Sequence, residues 1–229
     1  MLEQIHKNMK WIMWTIVILV TVTFMFFGIY PSSVSGRTVA KVNGYAITLD
    51  EFNRVYRNME ENYRQVLKDQ MNENFTKVIK NQAIRELVNN QLLVQEAERV
   101  GLQVSDEELQ AYIMKVPAFS VQGKFDKRVY ERALQNINMT PAAFEANQRE
   151  YLLRQKMENL VEDAVAINDA DLPAAYAQRN PKAKPGDFEK NKESFRQSYL
   201  AQKRREALDA FVKGLESKAS VKIDDKVLS

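Results

Sequence analysis

The chain contains no cysteine, and that one absence removes disulfides, thiol catalysis and cysteine-ligated metal, leaving packing alone to hold a core. Histidine is nearly as scarce. The single copy, His6, precedes the polar part of the chain, so that part has no imidazole for a Ser-His-Asp arrangement or a histidine metal site. No glycine-rich loop opens a helix to cradle phosphate. Neither charge sign dominates: 33 basic residues face 30 acidic ones, so no broad basic field invites nucleic acid. The acidic runs Asp106-Glu107-Glu108 and Asp224-Asp225 read as helix-start charges and a solvated tail, not as metal ligands. These absences predict a chain that is not an enzyme and has no catalytic residue, no metal site and no cofactor.

What is present begins with a run of twenty residues lacking any charge, Trp11 to Tyr30. As a helix it would rise about 30 Å, the hydrocarbon thickness of a bilayer, with Trp11, Trp14 and Tyr30 where interfacial aromatics sit. Two other readings compete. A helix apolar on all faces inside a soluble protein needs a large body around it, which the remaining ~190 residues do not supply. A cleavable signal peptide has an apolar region of about 7 to 15 residues; Ser33-Val-Ser35 has the form of a cleavage site, but the run is longer than that. A retained single-pass anchor is the expectation. The basic head with Lys7 and Lys10 is expected in the cytoplasm and the domain from about residue 36 beyond the inner membrane, in the periplasm.

The following segments punctuate themselves. Residues 31–38 form a polar tether after Pro31. Val39 to Val42, Asn43-Gly44 and Tyr45 to Ile47 predict a hairpin, because Asn-Gly suits the positive φ of a type I′ turn. Thr48 and Glu51 form a capping box for a first helix with Phe52, Val55, Tyr56, Met59, Tyr63, Val66 and Leu67 on one side. A second helix from Phe75 to Val100 carries Val78, Ile84, Leu87, Val88, Leu92 and Ala97 and ends at Gly101. Ser105 to Glu108 is another capping box, for a helix with Leu109, Tyr112 and Ile113 that stops near Pro117. Asp126 caps a fourth helix and Thr140-Pro141 opens a fifth, to about Ala164. Asn168 caps a short helix containing Leu172, Pro173 and Tyr176.

A polar connector, 180–187, contains two prolines, and a long helix then runs to about Lys218 with Leu208, Phe211, Val212, Leu215 and Ala219 aligned. Val221 to Ile223 alternates like a strand, and the sole strand partners the sequence offers lie in 39–47. The two ends of the polar part are therefore expected to pair.

Taken together, these segments resemble a known family. Val39 to Thr48 with Glu51-Phe52, Leu92 to Ala97 through Ser105, Pro117-Ala-Phe119, Gly123-Lys-Phe125-Asp126, Tyr130, and Thr140-Pro141 with Phe144-Glu145 are similar, in order and spacing, to the N-terminal chaperone domain of the SurA/PpiD group of envelope chaperones. The apolar run is similar to that of the anchored PpiD branch. The resemblance implies a mainly α fold: an anchor (11–30) behind a short head (1–10), an extended helical chaperone domain (39–179), and a closing helix and strand (188–229) that pack back on it. Members of the group usually insert a parvulin-type prolyl isomerase domain before the closing helix. Residues 180–187 are too few for a folded domain, which needs about 40 residues, and the paired histidines of parvulin-like sites have no counterpart beyond His6.

The expected function is therefore a membrane-anchored holdase that binds unfolded or nascent exported polypeptides without isomerising prolines. The alternative is a scaffold holding one dedicated partner in an inner-membrane translocation or envelope assembly. In either case the work falls to accessible apolar side chains. Met114, Pro117, Phe119 and Phe125 are the candidates around the third and fourth helices, with Tyr63, Met71, Met139 and Met157 as wall residues, since methionine and aromatic surfaces adapt to varied partners. Ordinary core packing is the competing reading for each of them.

Overall fold

Asn43 and Gly44 adopt φ of 50° and 91°, the left-handed values that a two-residue hairpin turn demands. They join β1 (Thr38–Val42) to β2 (Tyr45–Thr48) in the computed structural model of the protein, which describes residues 37–67 and 72–224. The apolar run 11–30, residues 31–36 of the tether and Met71 lie outside those residues, and Thr38, expected in the tether, opens β1. The chain divides into Met1–Arg37 and Thr38–Ser229, and every element named here belongs to the second unit.

On its other edge β1 receives β5 (Val221–Ile223), antiparallel, with Val42 opposite Val221 and Ala40 opposite Ile223. The sheet order is β2-β1-β5, so the expected pairing of the two ends is present. Asn43 makes the joint. Its backbone N–H donates to Ser220 O and its Oδ1 accepts from Ser220 N, both at 2.9 Å, while its Nδ2 donates to Gln95 Oε1 at 2.8 Å. Gln95 Nε2 in turn donates to Val42 O at 3.0 Å. One side chain thus ties the turn, a helix and the chain's far segment.

Among the described residues seven α-helices follow or intervene: α1 (Leu49–Leu67), α2 (Glu73–Arg99), α3 (Asp106–Met114), α4 (Lys127–Asn136), α5 (Pro141–Asp163), α6 (Leu172–Arg179) and α7 (Asp187–Glu216). The starts of α1, α3, α4 and α5 obey the caps read from sequence, whereas α2 is capped by Asn72. Thr48 N–H donates to Glu51 Oε2 (2.7 Å) while Glu51 N–H donates to Thr48 Oγ1 (3.2 Å), and Ser105 and Glu108 repeat the exchange. At the end of α2, Leu102 N–H reaches Ala97 O and Gly101 N–H reaches Glu98 O, the paired bonds of a Schellman ending, with Gly101 at φ 84°.

Two cores share α2. The first holds Val39, Val42, Ile47, Phe52, Ile84, Val88 and Leu92 between the sheet and α1–α2; the second gathers Leu93, Ala97, Leu109, Ile113, Tyr130, Leu134 and Leu153 among α2–α5. Leu215 of α7 packs against both. The tip of α7 pairs with α6 over a small aromatic seam, Tyr176 with Phe188 and Phe195.

Three local expectations are corrected. Val78 is 54 % exposed and Ile79 is fully buried in its place: one residue turns a helix by about 100°, and Ile79 lies four residues before Ala83 on the inward row. Ser120–Val121 and Lys124–Phe125 form a second hairpin, β3–β4, beyond the strands expected from sequence. Its turn places Gln122 at φ 50° before Gly123 at φ 78°, a cost of about 1 kcal/mol for a non-glycine residue, and glutamine gives little warning of it. Finally, the helix after Asn168 is split. Asn168 caps a 3₁₀ turn, Asp169–Asp171, and α6 starts anew with proline in its first turn, where the missing N–H of Pro173 breaks no helical bond.

Replacing Asn43 with Ala removes two side-chain bonds and the residue that tolerates left-handed φ. The expected loss is about 2 kcal/mol of unfolding free energy, read by urea denaturation.

Candidate binding cleft

The 3₁₀ turn Pro117–Phe119 and the β3–β4 hairpin fold back on α4 because Asp126 N–H donates to Phe119 O at 2.8 Å. Asp126 Oδ1 then accepts from Arg128 N and Val129 N to start α4. This places four rings together: Phe119 meets Tyr130 (centroids 5.1 Å apart) and Phe144 (5.6 Å) edge-on, and Phe125 lies 5.8 Å from Tyr130. Edge-to-face geometry is favourable by about 1 kcal/mol per pair beyond the area buried. On the opposite side, α5 is pinned to the start of α3. Arg149 donates to Val104 O (2.8 Å) and Asp106 Oδ1 (2.7 Å), and Lys156 donates to Gln103 O and Glu108 Oε2, both at 2.7 Å. Partly exposed pairs of this kind stabilise little, but they fix the spacing of the two helices.

Between these anchors opens a cleft of about 560 Å³, with Leu109, Ile113, Met114, Phe125 and Tyr130 as its apolar lining and Asp106, Gln110, Lys127, Glu145 and Arg149 as its polar groups. Tyr130 donates from its hydroxyl to Glu145 Oε1 at 3.2 Å. Burial first, and then Glu145, push the Tyr130 hydroxyl up to about 12, so it stays a neutral donor across the physiological range. A greasy surface with charges of both signs at its edge suits an extended polypeptide better than a small, uniformly polar ligand.

The sequence-chosen residues divide sharply. Met114, 48 % exposed, and Phe125 line the cleft. Pro117 is exposed at the turn beside it. Phe119, expected among the binding residues, and Met157, expected as a wall residue, are instead core residues at 6 % and 4 % exposure. The cause is local: the 3₁₀ turn swings Phe119 onto Tyr130 and Phe144, and Met157 lies on the inward row of α5 with Leu153. Tyr63 belongs to the α1–α2 pairing, its ring 5.7 Å from Phe75 and its hydroxyl 3.2 Å from Gln82 Oε1. Met139 is half-buried where the chain enters α5, beside Asn147. Glu145, Arg149 and Lys127 escaped the sequence reading because nothing in helical periodicity distinguishes a rim charge from any other solvated one.

A second cleft, of about 240 Å³, lies where β2, α1, α2 and α5 meet, with Tyr45, Glu51, Arg54, Glu150 and Arg154 among its polar walls and Ile47, Val55 and Leu87 among its apolar ones. Burial, then Glu150, Glu51 and Glu98, drive the Tyr45 hydroxyl up to about 12. The Glu150 side chain remains open to water at the cleft mouth, yet crowding by protein, followed by repulsion from Glu51 and Glu98, raises its carboxyl above the ordinary range. Among the described residues no group of His, Asp or Glu is placed to hold a metal ion.

The frame thus joins a sheet completed by β5 to a separate apolar cleft among α3, α4, α5 and the β3–β4 hairpin. Residues 1–158 match the SurA-like N-terminal domain, and the chain belongs to that family. Among its relatives, the periplasmic chaperone PpiD of Escherichia coli strain K12 is 30 % identical over 148 residues, covering 62 % of this chain and 24 % of that protein. PpiD of Haemophilus influenzae is 29 % identical over 162 residues, covering 67 % of this chain and 26 % of its own length. The chain therefore spans about a quarter of these relatives. A solved structure from work describing the virulence factor PEB4 and the periplasmic protein Cj1289 of Campylobacter jejuni as SurA-like chaperones covers 82 % of this chain and is itself covered to 98 %, with a TM-score of 0.54 at 13 % identity; that likeness concerns the fold.

Phe119→Ser is expected to cost about 3 to 5 kcal/mol in urea unfolding, as for a large ring lost from a packed core, whereas Met114→Ser should cost less than about 1 kcal/mol. The raised carboxyl of Glu150 means that the folded state takes up this proton more readily than the unfolded chain, so its ionised form weakens the fold. Glu150→Gln should raise the melting temperature at neutral pH. That gain should fade as the pH falls to the ordinary carboxylate range and below, where both states are protonated.

Proposed function

We propose that this domain is a chaperone module of the holdase type, which grips unfolded stretches of exported polypeptides in the cleft between α3, α4, α5 and the β3–β4 hairpin. One observation carries the reading: the cleft leaves Met114 and Phe125 accessible over an otherwise packed aromatic floor, with charges of both signs at the edge. Membership of the SurA-like family and the description of its relatives as periplasmic chaperones support it. The module works from the outer face of the inner membrane, held by the apolar run 11–30 with its amino terminus in the cytoplasm. It does not isomerise proline. The chain between α6 and α7 is only a short turn, in which Ala183 N–H donates to Asn180 O and Asp187 N–H to Lys184 O, and no histidine follows His6.

In this reading binding is weak and reversible, because an open cleft buries only part of any one client side chain. The full chain should delay aggregation of a chemically unfolded client at stoichiometric amounts, followed by light scattering. The pair Met114→Ser and Phe125→Ser should weaken client binding about tenfold, since each removes part of a side chain worth about 1.5 to 3 kcal/mol when fully buried. An unchanged double variant, or catalysed proline isomerisation by the full chain, would count decisively against the proposal. Crosslinking from the cleft in native membranes separates the two roles: a ladder of exported clients fits a holdase, and one discrete adduct fits a scaffold.

A further inference from the structure

The tip formed by the end of α6, the connector and the start of α7 concentrates positive charge that the fold does not use. Between residues 179 and 192 lie Arg179, Lys182, Lys184, Lys190 and Lys192, against only Asp187 and Glu189. Arg179 is engaged, its guanidinium stacked 4.9 Å above the Tyr199 ring. The four lysines are exposed, and no ion pair holds any of them among the described residues. Asp187 is occupied, its Oδ2 accepting from Lys184 N at 2.7 Å.

Lys190 and Lys192 are the fourth and sixth residues of α7, beyond its acidic first turn of Asp187 and Glu189, and both are exposed to water. The connector keeps the other two in a fixed frame: Pro181 and Pro185 restrict the chain, Gly186 takes φ 90°, and the turn is closed by Ala183 N–H to Asn180 O (2.9 Å) and Asp187 N–H to Lys184 O (3.1 Å). Beside the lysines, Phe188 packs edge-on against Tyr176.

The geometry points to a docking surface for the anionic headgroups of phospholipids at this tip. A protein partner binds chiefly through aromatic and Arg anchors, whereas the charged groups this tip presents to water are mainly lysines. A charged lipid surface needs only cations held close to it, each lysine multiplying the local population about fivefold. The apolar run 11–30, read from sequence as a membrane span, would bring such a surface within the domain's neighbourhood.

Because the chain has no cysteine, Ala183→Cys supplies a unique labelling site at the tip of the full-length protein. A fluorophore there is read in proteoliposomes whose headgroups carry a quencher, made from phosphatidylcholine alone or with phosphatidylglycerol. Strong quenching is expected only with phosphatidylglycerol, and it should vanish at about 0.5 M salt, where charges are screened within a few Å. Changing the four lysines to Gln should reduce the docked population about tenfold or more, while changing them to Arg should preserve it. Equal quenching in both lipids, no quenching in either, or a Gln variant that docks normally overturns the assignment. Crosslinking of the tip cysteine to an acidic protein in native membranes, without quenching by phosphatidylglycerol, assigns the patch to a protein instead and likewise overturns it.

Discussion

Everything in the second unit depends on β1 having neighbours on both edges. A lone two-stranded hairpin is marginal in water, and β2 by itself would leave Val39, Ala40 and Val42 with one flank unpaired. β5 arrives from the other end of the chain to complete the sheet, and Asn43 bonds to it and to α2 at once. The sheet can then lie on α1 and α2, and α2 is long enough to serve one core with its first half and another with its second. Leu215, touching both cores, keeps α7 from swinging away on the strength of three strand residues alone.

The cleft is a product of the second core rather than a feature added to it. Phe119 is spent on holding Tyr130 and Phe144, and the rigidity so gained lets the neighbouring Phe125 and Met114 stay accessible without collapsing inward. Arg149 and Lys156 do the corresponding work on the far wall, where they set the distance between α3 and α5. Apolar exposure on a small domain is ordinarily a liability. Here Met114 and Phe125 lie within one concavity edged by Asp106, Lys127, Glu145 and Arg149.

Capping chemistry was the most legible part of the sequence. Thr48-Glu51, Ser105-Glu108, Asp126, Thr140 and Gly101 each announce a boundary because the bond that makes it is local, within three or four residues. The joining of 221–223 to 39–42 was legible by elimination, there being few strand-like stretches to choose from. What escaped depended on neighbours distant in sequence. Phe119 and Phe125 flank the same small hairpin and look alike as letters, yet one is core and the other lines the cleft, a difference decided by where α4 and α5 place Tyr130 and Phe144. Val78 and Ile79 differ by a single step around a helix, and either satisfies the periodicity until α1 is in position. The β3–β4 turn hid because Gln122 is an uncommon occupant of its conformation. PpiD-like order and spacing carried the family assignment, but not which methionine faces water.

The hydrogen bond from Ser220 to Asn43 spans 177 positions along the chain. A ribosome builds a polypeptide in order, so the strand at the heart of the sheet must wait for residues 177 positions further on before its second edge is occupied. Contacts so remote form slowly, because a long loop has to close before they return anything. During that interval the young domain is itself an unfinished chain with an open strand edge, vulnerable to the same mispairing that endangers any half-made protein.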